Sequence, residues 1–359
     1  MRAITCALND RNERRCDMRR TWILVAAIAT LQETAPAPQV SLPVIDMHLH
    51  AYPADAQGPP PVAMCAPLAT LTPRDAKDDW RNVMRAVRKQ PPCSDPVWSP
   101  TTDEDLMNQT LEVLRRRNIF GVLCSSEAVS ELTRVQRWRE KAPDHIIPAL
   151  GFQLGPRSPS PDEVRRLHKQ GQFVVLGEVL NQYVGISPAD QAFEPYLALA
   201  EERDFPVGIH AGPGPPGAPY LGVDRYRARL NSSLLLEEVL VRHPKLRIYI
   251  MHAGWPMLDD LIALLWTHPQ VYVDVGFIDC NLPRAEFYRY LQRIVEAGFG
   301  KRVMFGSDQM IWPGVIERAI QAIESAPFLD REQKRDILYN NAARFLRLSD
   351  AEIAKHHGR

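Results

Sequence analysis

Eight short runs of β-forming residues, separated by longer and mostly amphipathic segments, constrain the fold of this chain more than any other feature. The runs occupy residues 44–50, 119–124, 146–154, 173–179, 206–210, 246–252, 271–276 and 302–307. Several of them are continuously apolar, as strands buried on both faces of a parallel sheet are. Alternating strands and helices are typical of repeated βα units. Eight such units predict an α/β fold, a closed (β/α)8 TIM barrel, over residues 41–350.

The segments between the runs carry the signals of helices. Apolar residues recur at steps of three and four, and charged residues fill the other positions, so one helix face packs inward and the other faces solvent. Helix starts are marked at Thr102, Ser160 and Pro283 by capping residues or by proline. The last helix is predicted to end near Leu348, which leaves residues 351–359 as a tail.

Residues 51–101 interrupt this regular pattern with a proline-rich insertion that shows no clear helix or strand. The insertion is far longer than a usual βα loop, and loops of that length are functional or disordered. Because it follows the first strand, it lies on the face of the barrel that carries active sites. We interpret it as a lid or a substrate wall, with disorder as the alternative. Its Cys65 and Cys93 either form a disulfide or stay as two unpaired buried thiols.

Residues 1–40 are predicted to form an N-terminal extension with a signal peptide. An apolar run over residues 22–31 follows Arg19 and Arg20 and is too short to span a bilayer. Small residues come after it, which completes the usual pattern of a secretory signal. Met18 is the natural start of such a signal. A periplasmic or secreted protein is therefore expected, with an ordinary extension and a cytoplasmic protein as the alternative.

The charge balance restricts the possible partners. The chain has 43 basic and 43 acidic residues, so no net field attracts it to nucleic acid or acidic lipid. With 45% hydrophobic residues it can bury a large core. We expect a small-molecule substrate, no nucleic-acid partner and no stable membrane span, and we leave a homo-oligomer open.

Five polar residues lie at the ends of predicted strands. His48 and His50 close the first run, His210 and His252 close the fifth and sixth, and Asp308 follows the eighth. In a barrel of this kind the strand ends meet at one face, where catalytic groups lie. Residues i and i+2 share a face of a strand, so His48 and His50 can bind one ion. Imidazole and carboxylate ligands match zinc or a similar divalent metal, which activates water as a nucleophile.

Further roles follow from the same placement. Asp308 is the candidate general base, because next to a metal it stays ionised and can accept the proton of the attacking water. His252 either binds a second metal or polarises the scissile carbonyl. Glu178, at the end of the fourth run, either binds an ion or pairs with an arginine. Asp46 is interpreted as a group that fixes a histidine ring, and Asp274 either faces the core or does the same.

The loop after the fifth run supplies candidates for substrate binding. It contains Tyr220, Arg225 and Arg227, and an arginine there can clamp a substrate carboxylate. Solvated surface charge is the alternative for each of these arginines.

Taken in order, these motifs resemble the amidohydrolase superfamily, in particular the branch that includes aminocarboxymuconate-semialdehyde decarboxylase. The resemblance covers residues 44–348 and is carried by His48-Leu49-His50, Gly177-Glu178, His210-Ala211-Gly212, His252-Ala253-Gly254, Gly306-Ser307-Asp308 and the closing residues 340–346. The metal ligands that it implies are His48, His50, His210 and Asp308. It also implies that His252 lies near the reacting group. Many members carry a carboxylated lysine at the fourth strand where this chain has Glu178, so one ion or two stays open.

Two reactions fit this set of residues. The first is hydrolysis of a small ester, lactone or amide by metal-activated water, with Asp308 as the general base. The alternative is non-oxidative decarboxylation of a small carboxylic acid on the same metal, which the resemblance allows. The expected cofactor is one or two divalent ions, zinc in the first place and manganese as the alternative.

Overall fold

The computed structural model describes residues 41–71, 73–125 and 129–358. The predicted signal peptide, within residues 1–40, lies outside the described residues, so it stays a prediction. In the part of the chain that the structure describes, no helix is long and apolar enough to cross a membrane.

Eight parallel strands form the sheet at the centre of the molecule, each paired with the next along the chain. We label them β1 (Val44–His50), β2 (Ile119–Cys124), β3 (Ile146–Phe152), β4 (Val175–Val179), β5 (Val207–His210), β6 (Ile248–Met251), β7 (Tyr272–Asp274) and β8 (Val303–Met304). All eight predicted strands are confirmed, and β3 to β8 are shorter than their apolar runs. The predicted TIM barrel is therefore confirmed.

Main-chain hydrogen bonds between β1 and the residues after β8 close the barrel. The amide of Met47 donates to the carbonyl oxygen of Phe305 at 2.9 Å. The amide of Asp308 donates to the carbonyl oxygen of His48 at 2.8 Å. This second bond holds the backbone of Asp308 beside His48, although 260 residues of sequence separate the two.

Buried side chains fill the inside of the barrel. One cluster joins Ile45 and Met47 of β1 to Val175 of β4 and to Tyr249 and Met251 of β6. These strands are not neighbours, so their side chains meet across the barrel axis. The interior is thus a packed core rather than a channel.

Helices connect and surround the strands. They are α1 (Trp80–Lys89), α2 (Asp103–Arg116), α3 (Leu132–Lys141), α4 (Pro161–Lys169), α5 (Glu194–Arg203), α6 (Glu237–Arg242), α7 (Leu258–Thr267), α8 (Ile278–Asn281), α9 (Arg284–Ile294), α10 (Val315–Glu324), α11 (Arg331–Arg335), α12 (Asn341–Leu346) and α13 (Asp350–His356). The side chains of Thr102 and Ser160 accept bonds from the first turns of α2 and α4. The predicted helix starts at these residues and after Pro283 are confirmed.

The end of the chain differs from the prediction, because the residues expected to form a tail make the helix α13. Ser349 and Glu352 form a capping box, which begins a helix. The sequence predicted only the end of the preceding helix, near Leu348, at this point. The ring of His356 stacks on Phe120, with centroids 3.5 Å apart, so α13 covers the N-terminal end of β2.

The insertion after β1 also contains more structure than the sequence predicted. It holds α1, a pair of two-residue antiparallel strands at Ala63–Met64 and Val97–Trp98, and a disulfide between Cys65 and Cys93. The expectation of no clear element was wrong, because two-residue strands are too short to show a period and α1 buries only one side chain. Of the two alternatives for the cysteines, the structure has the disulfide. The role of the insertion as a lid stays a prediction.

Candidate metal site

Seven polar side chains meet at the C-terminal ends of the strands, and none of them is more than 8% exposed. They are His48, His50, Glu178, His210, His252, Asp274 and Asp308. The pairing of β1 with β2 shifts register between Asp46 and Leu49. Such irregularities re-aim side chains beside active sites. The strand-end histidines singled out in the sequence therefore do converge.

Glu178 lies at the centre of this cluster. Its Oε2 is 3.4 Å from Nε2 of His50 and 3.6 Å from Nε2 of His48. Its Oε1 is 2.5 Å from Nδ1 of His210 and 3.4 Å from Nε2 of His252. Glu178 was expected either to bind an ion or to pair with an arginine. Its contacts are with histidines, which favours a place in the metal site.

Asp308, which follows β8, contacts His48 and His50 as well. Its Oδ1 is 2.9 Å from Nε2 of His50 and 3.5 Å from Nε2 of His48. The backbone of Asp308 has φ 51°, in the left-handed region that non-glycine residues rarely adopt. Residues held in this region cluster at functional sites, where the surrounding structure fixes them.

Asp274 orients two of the histidines. Its Oδ2 is 3.3 Å from Nδ1 of His48, and its Oδ1 accepts the amide of His252 at 3.0 Å and that of Gly276 at 2.9 Å. A carboxylate on the far nitrogen of a metal-binding histidine fixes the ring and its tautomer. Asp274 was expected either to face the core or to fix a histidine ring. Its position beside the ring of His48 favours the second role.

Asp46 was expected to fix a histidine ring, and that expectation was wrong. Its Oδ1 accepts the main-chain amides of His48 and Ser307, both at 3.0 Å. This oxygen lies where the chain after β8 runs against β1. Burial raises the pKa of Asp46 to about 7, although these hydrogen bonds oppose the shift.

Three overlapping groups can hold a metal ion, and in each of them the ligand atoms lie within 4.8 Å of one another. The groups are His48 with His50 and Glu178, His48 with His252 and Asp274, and Glu178 with His210 and His252. The buried Nε2 atoms of His48 and His210 have no hydrogen-bond partner among the described residues. Buried polar atoms require a partner, and a divalent ion would supply it to both. The residues therefore fit a metal.

The charges of the cluster also favour a bound metal ion. Burial alone would raise the pKa of Glu178, but His210 and His48 outweigh it and hold that pKa well below the usual range. Burial is likewise outweighed at Asp308, whose pKa is lowered by His48 and His50. Both carboxyls are thus anionic in a buried site. A divalent cation would neutralise them.

Three residues beside the ligands were not assigned to the site from the sequence. The ring of Tyr52 stacks on His50 at 4.4 Å, and the ring of Tyr183 lies 4.8 Å from His210. Cys124, interpreted as core, is buried but has its Sγ 3.1 Å from Nδ1 of His50. Tyr52 follows His50 by two residues and Cys124 ends β2, so strand alternation was a usable signal for both. Tyr183 lies in a short 3-10 turn, where no simple period applies.

The candidates for substrate binding lie apart from this cluster. Tyr220 is 59% exposed, and the guanidinium of Arg74 lies 4.1 Å from the centroid of its ring. Arg227 donates to two carbonyl oxygens of its own loop, and Arg225 is exposed. Their role in binding a substrate stays a prediction.

Close packing at Gly212 yields a first prediction. A Cβ at this position would lie 2.7 Å from Cγ of His252, a residue that is only 1% exposed. We expect Gly212→Ala to destabilise the protein by about 1–3 kcal/mol, as overpacked cores do, and to displace His252. Urea denaturation measures this cost.

Gly155→Ala is the matched control, because a Cβ there meets nothing within 4 Å. Its effect should stay within about 0.5 kcal/mol. Equal stability of the two variants would contradict the packing argument.

The sequence profile of the family described as Amidohydrolase matches residues 45–348. No curated protein matches the chain significantly.

Solved structures with the same fold include enzymes of two reaction classes. One is a probable 2-pyrone-4,6-dicarboxylic acid hydrolase from Acinetobacter baumannii, with 17% identity, TM-score 0.53 and coverage of 86% of this chain and 100% of that one. Another is 5-carboxyvanillate decarboxylase from Sphingomonas paucimobilis, with 16% identity, TM-score 0.52 and coverage of 86% and 100%. A third is the 5-carboxyvanillate decarboxylase from Novosphingobium aromaticivorans with bound manganese, with 13% identity, TM-score 0.52 and coverage of 87% and 99%. At these identities the likeness shows the fold.

Proposed function

This chain belongs to the amidohydrolase family, and we propose that it is a metal-dependent hydrolase of a small ester, lactone or amide. The observation that carries the proposal is the buried cluster of four histidines and three carboxylates at the mouth of the barrel. The second candidate is decarboxylation of a small carboxylic acid. It is favoured by the aromatic rings of Tyr52 and Tyr183 beside the ligands, which suit a flat substrate.

His48, His50, His210 and Asp308 are the proposed ligands, with Glu178 between them for a second ion. When bound, the metal would lower the pKa of a water molecule and polarise the substrate. We propose zinc, which suits imidazole and carboxylate, and keep manganese as the alternative because a neighbour of the same fold is described with it.

Asp308 is the proposed general base. Its carboxyl is anionic in the buried site, since its lowered pKa reflects the histidines around it. An anionic carboxylate at this place can take the proton of the attacking water and give it to the leaving group.

His252 is proposed to polarise the substrate. Its Nδ1 is 2.8 Å from the carbonyl oxygen of Gly276, so this nitrogen carries a proton and donates. A protonated ring then presents Nε2–H to the site. Burial alone would lower the pKa of His252, but Glu178 outweighs it and the pKa is raised, which favours that form.

Two further proposals concern the access of substrate to the site and the location of the protein in the cell. Tyr220, Arg225 and Arg227 are proposed to contact the substrate at the rim, and the insertion at residues 51–101 to act as a lid. Residues 1–40 are proposed to carry a signal peptide that directs the protein to the periplasm or outside the cell.

Elemental analysis of the full chain tests the proposal. We expect one or two equivalents of zinc or manganese in the wild type and a loss of metal in His48→Ala and His210→Ala. His243→Ala is the control, because this histidine is also buried but pairs with Glu194 and Glu201 outside the site. A metal-free wild type that no added ion activates would contradict the proposal. Release of carbon dioxide from an active preparation would favour the second candidate.

A further inference from the structure

The helix α1 is attached at its two ends to loops that follow different strands. At its start, Nε1 of Trp80 donates to the carbonyl oxygen of Pro216 at 2.7 Å, in the loop after β5. Near its end, Nη2 of Arg88 donates to Oε1 of Gln57 at 3.1 Å. The side-chain amide of Gln57 in turn lies 3.7 Å from Sδ of Met310, which follows β8.

These attachments lie on opposite sides of the barrel. In a closed ring of eight strands β5 stands four places from β1, and β8 is next to β1. A helix of ten residues is about 15 Å long, which is enough to reach between them. We call residues 73–93, which contain α1, the strap. The strap bridges the loops at the C-terminal ends of the strands, the end of the barrel at which the histidine and carboxylate cluster lies.

The disulfide holds the other end of the strap against the barrel. Cys93 is bonded to Cys65, whose carbonyl oxygen lies 3.4 Å from the side-chain amide of Asn281 in α8. Near it, Nε1 of Trp312 donates to the carbonyl oxygen of Val62 at 2.8 Å. The cystine is therefore fixed to the loops after β7 and β8, whereas Trp80 reaches the loop after β5.

Trp80 is the one side chain of α1 that is buried, at 6% exposure. Its indole lies over Gly217, where a Cβ would be 2.7 Å from Cδ1 of the ring and where φ is 74°. The other apolar residues of α1 are half-buried or exposed. Segments with few buried apolar contacts open locally at low free energy, so the indole contact and the disulfide decide how firmly the strap is held.

We propose that Trp80 is a specificity-determining residue, which with the Cys65–Cys93 disulfide holds the strap across the barrel mouth and limits the size of molecule that reaches the ligand cluster. The proposal rests on the proposed function only in that it names this molecule a substrate. The limit itself follows from the attachments of the strap.

The thiol of Cys124 allows a test that needs neither metal nor substrate. It is buried beside His50 at the C-terminal end of β2, the same end of the barrel at which the strap bridges the loops. The full chain, freed of metal with a chelator, is treated with iodoacetamide or with a bulky fluorescein maleimide. Labelling rates are then measured by peptide mass spectrometry. Cys280, the other buried thiol, serves as the reference for general unfolding.

We expect the bulky maleimide to label Cys124 about tenfold faster or more in Trp80→Ala and in the Cys65→Ser, Cys93→Ser variant than in the wild type. Iodoacetamide should discriminate less. Trp266→Ala, which removes a tryptophan that is 80% exposed on α7, should leave all rates unchanged. Trp80→Phe, which keeps a ring but loses the donor to Pro216, should lie between.

Equal labelling of Cys124 in the wild type and in Trp80→Ala, whether fast or slow, overturns the proposal. So does a parallel rise for Cys280, because the strap would then act on overall stability rather than on access. Since the protein is metal-free and no turnover is measured, failure of this test is distinguishable from failure of the proposed function, which metal analysis detects.

Discussion

Replacing Asp308 with asparagine is expected to leave the metal bound and to remove nearly all turnover. Asparagine keeps an oxygen that can face Nε2 of His50, 2.9 Å away in the wild type, so the geometry of the ligands survives. It cannot accept a proton from water, and general-base catalysis contributes about 10²–10⁴-fold. A fall of that size in kcat, together with an unchanged metal content, is the expected result.

His50→Ala should be measured beside Asp308→Asn, because it is expected to lose the metal as well as the activity. The imidazole lies between the carboxylates of Asp308 and Glu178, and its removal takes away a ligand while leaving two buried anions. We expect the metal content to fall with the activity. Should Asp308→Asn stay fully active, Asp308 is not the base; should it lose metal as His50→Ala does, its main role is that of a ligand.

The barrel and most of the histidine and carboxylate cluster were predictable from the sequence, because apolar runs mark the strands and the cluster lies at the strand ends. β1 and β2 have the predicted bounds, since polar residues or turns end their apolar runs at once. The runs that give β4 and β7 extend up to two residues beyond the strands, where single main-chain bonds, from Val174 to Pro148 and from Val275 to Met304, continue the contact with the neighbouring strand. The ends of parallel strands meet whatever their length, and His210 and His252 were therefore found without a structure.

What the sequence could not supply is the partner of each polar group. Asp46 and Asp274 are both buried aspartates on strands, and both accept main-chain amides, yet only Asp274 also places an oxygen beside the ring of His48. The difference arises where the chain after β8 runs against β1, a contact between distant parts of the chain that no local pattern encodes. The same holds for Trp80, whose indole contacts a loop 136 residues away.

Asp274→Asn is expected to weaken metal binding by about 10–100-fold, the usual effect of losing a carboxylate behind a histidine ligand. The oxygen that accepts the amides of His252 and Gly276 can be kept. The atom that faces Nδ1 of His48 becomes an NH2 group, which cannot accept the ring proton. The ring then loses the carboxylate that faces its Nδ1 at 3.3 Å. Titration of the metal-free protein with zinc, in competition with a chelating dye, measures the change.

Asp46→Asn is the matched control, because Asp46 is as deeply buried and lies two residues before the same histidine. Its Oδ1 accepts the main-chain amides of His48 and Ser307, and an asparagine oxygen accepts them equally well. Zinc affinity should therefore change little in this variant, and thermal unfolding of both metal-free proteins shows whether either is misfolded. If the two variants lose the same affinity while both stay folded, buried negative charge near the site governs metal binding, and the contact of Asp274 with the ring of His48 has no special role.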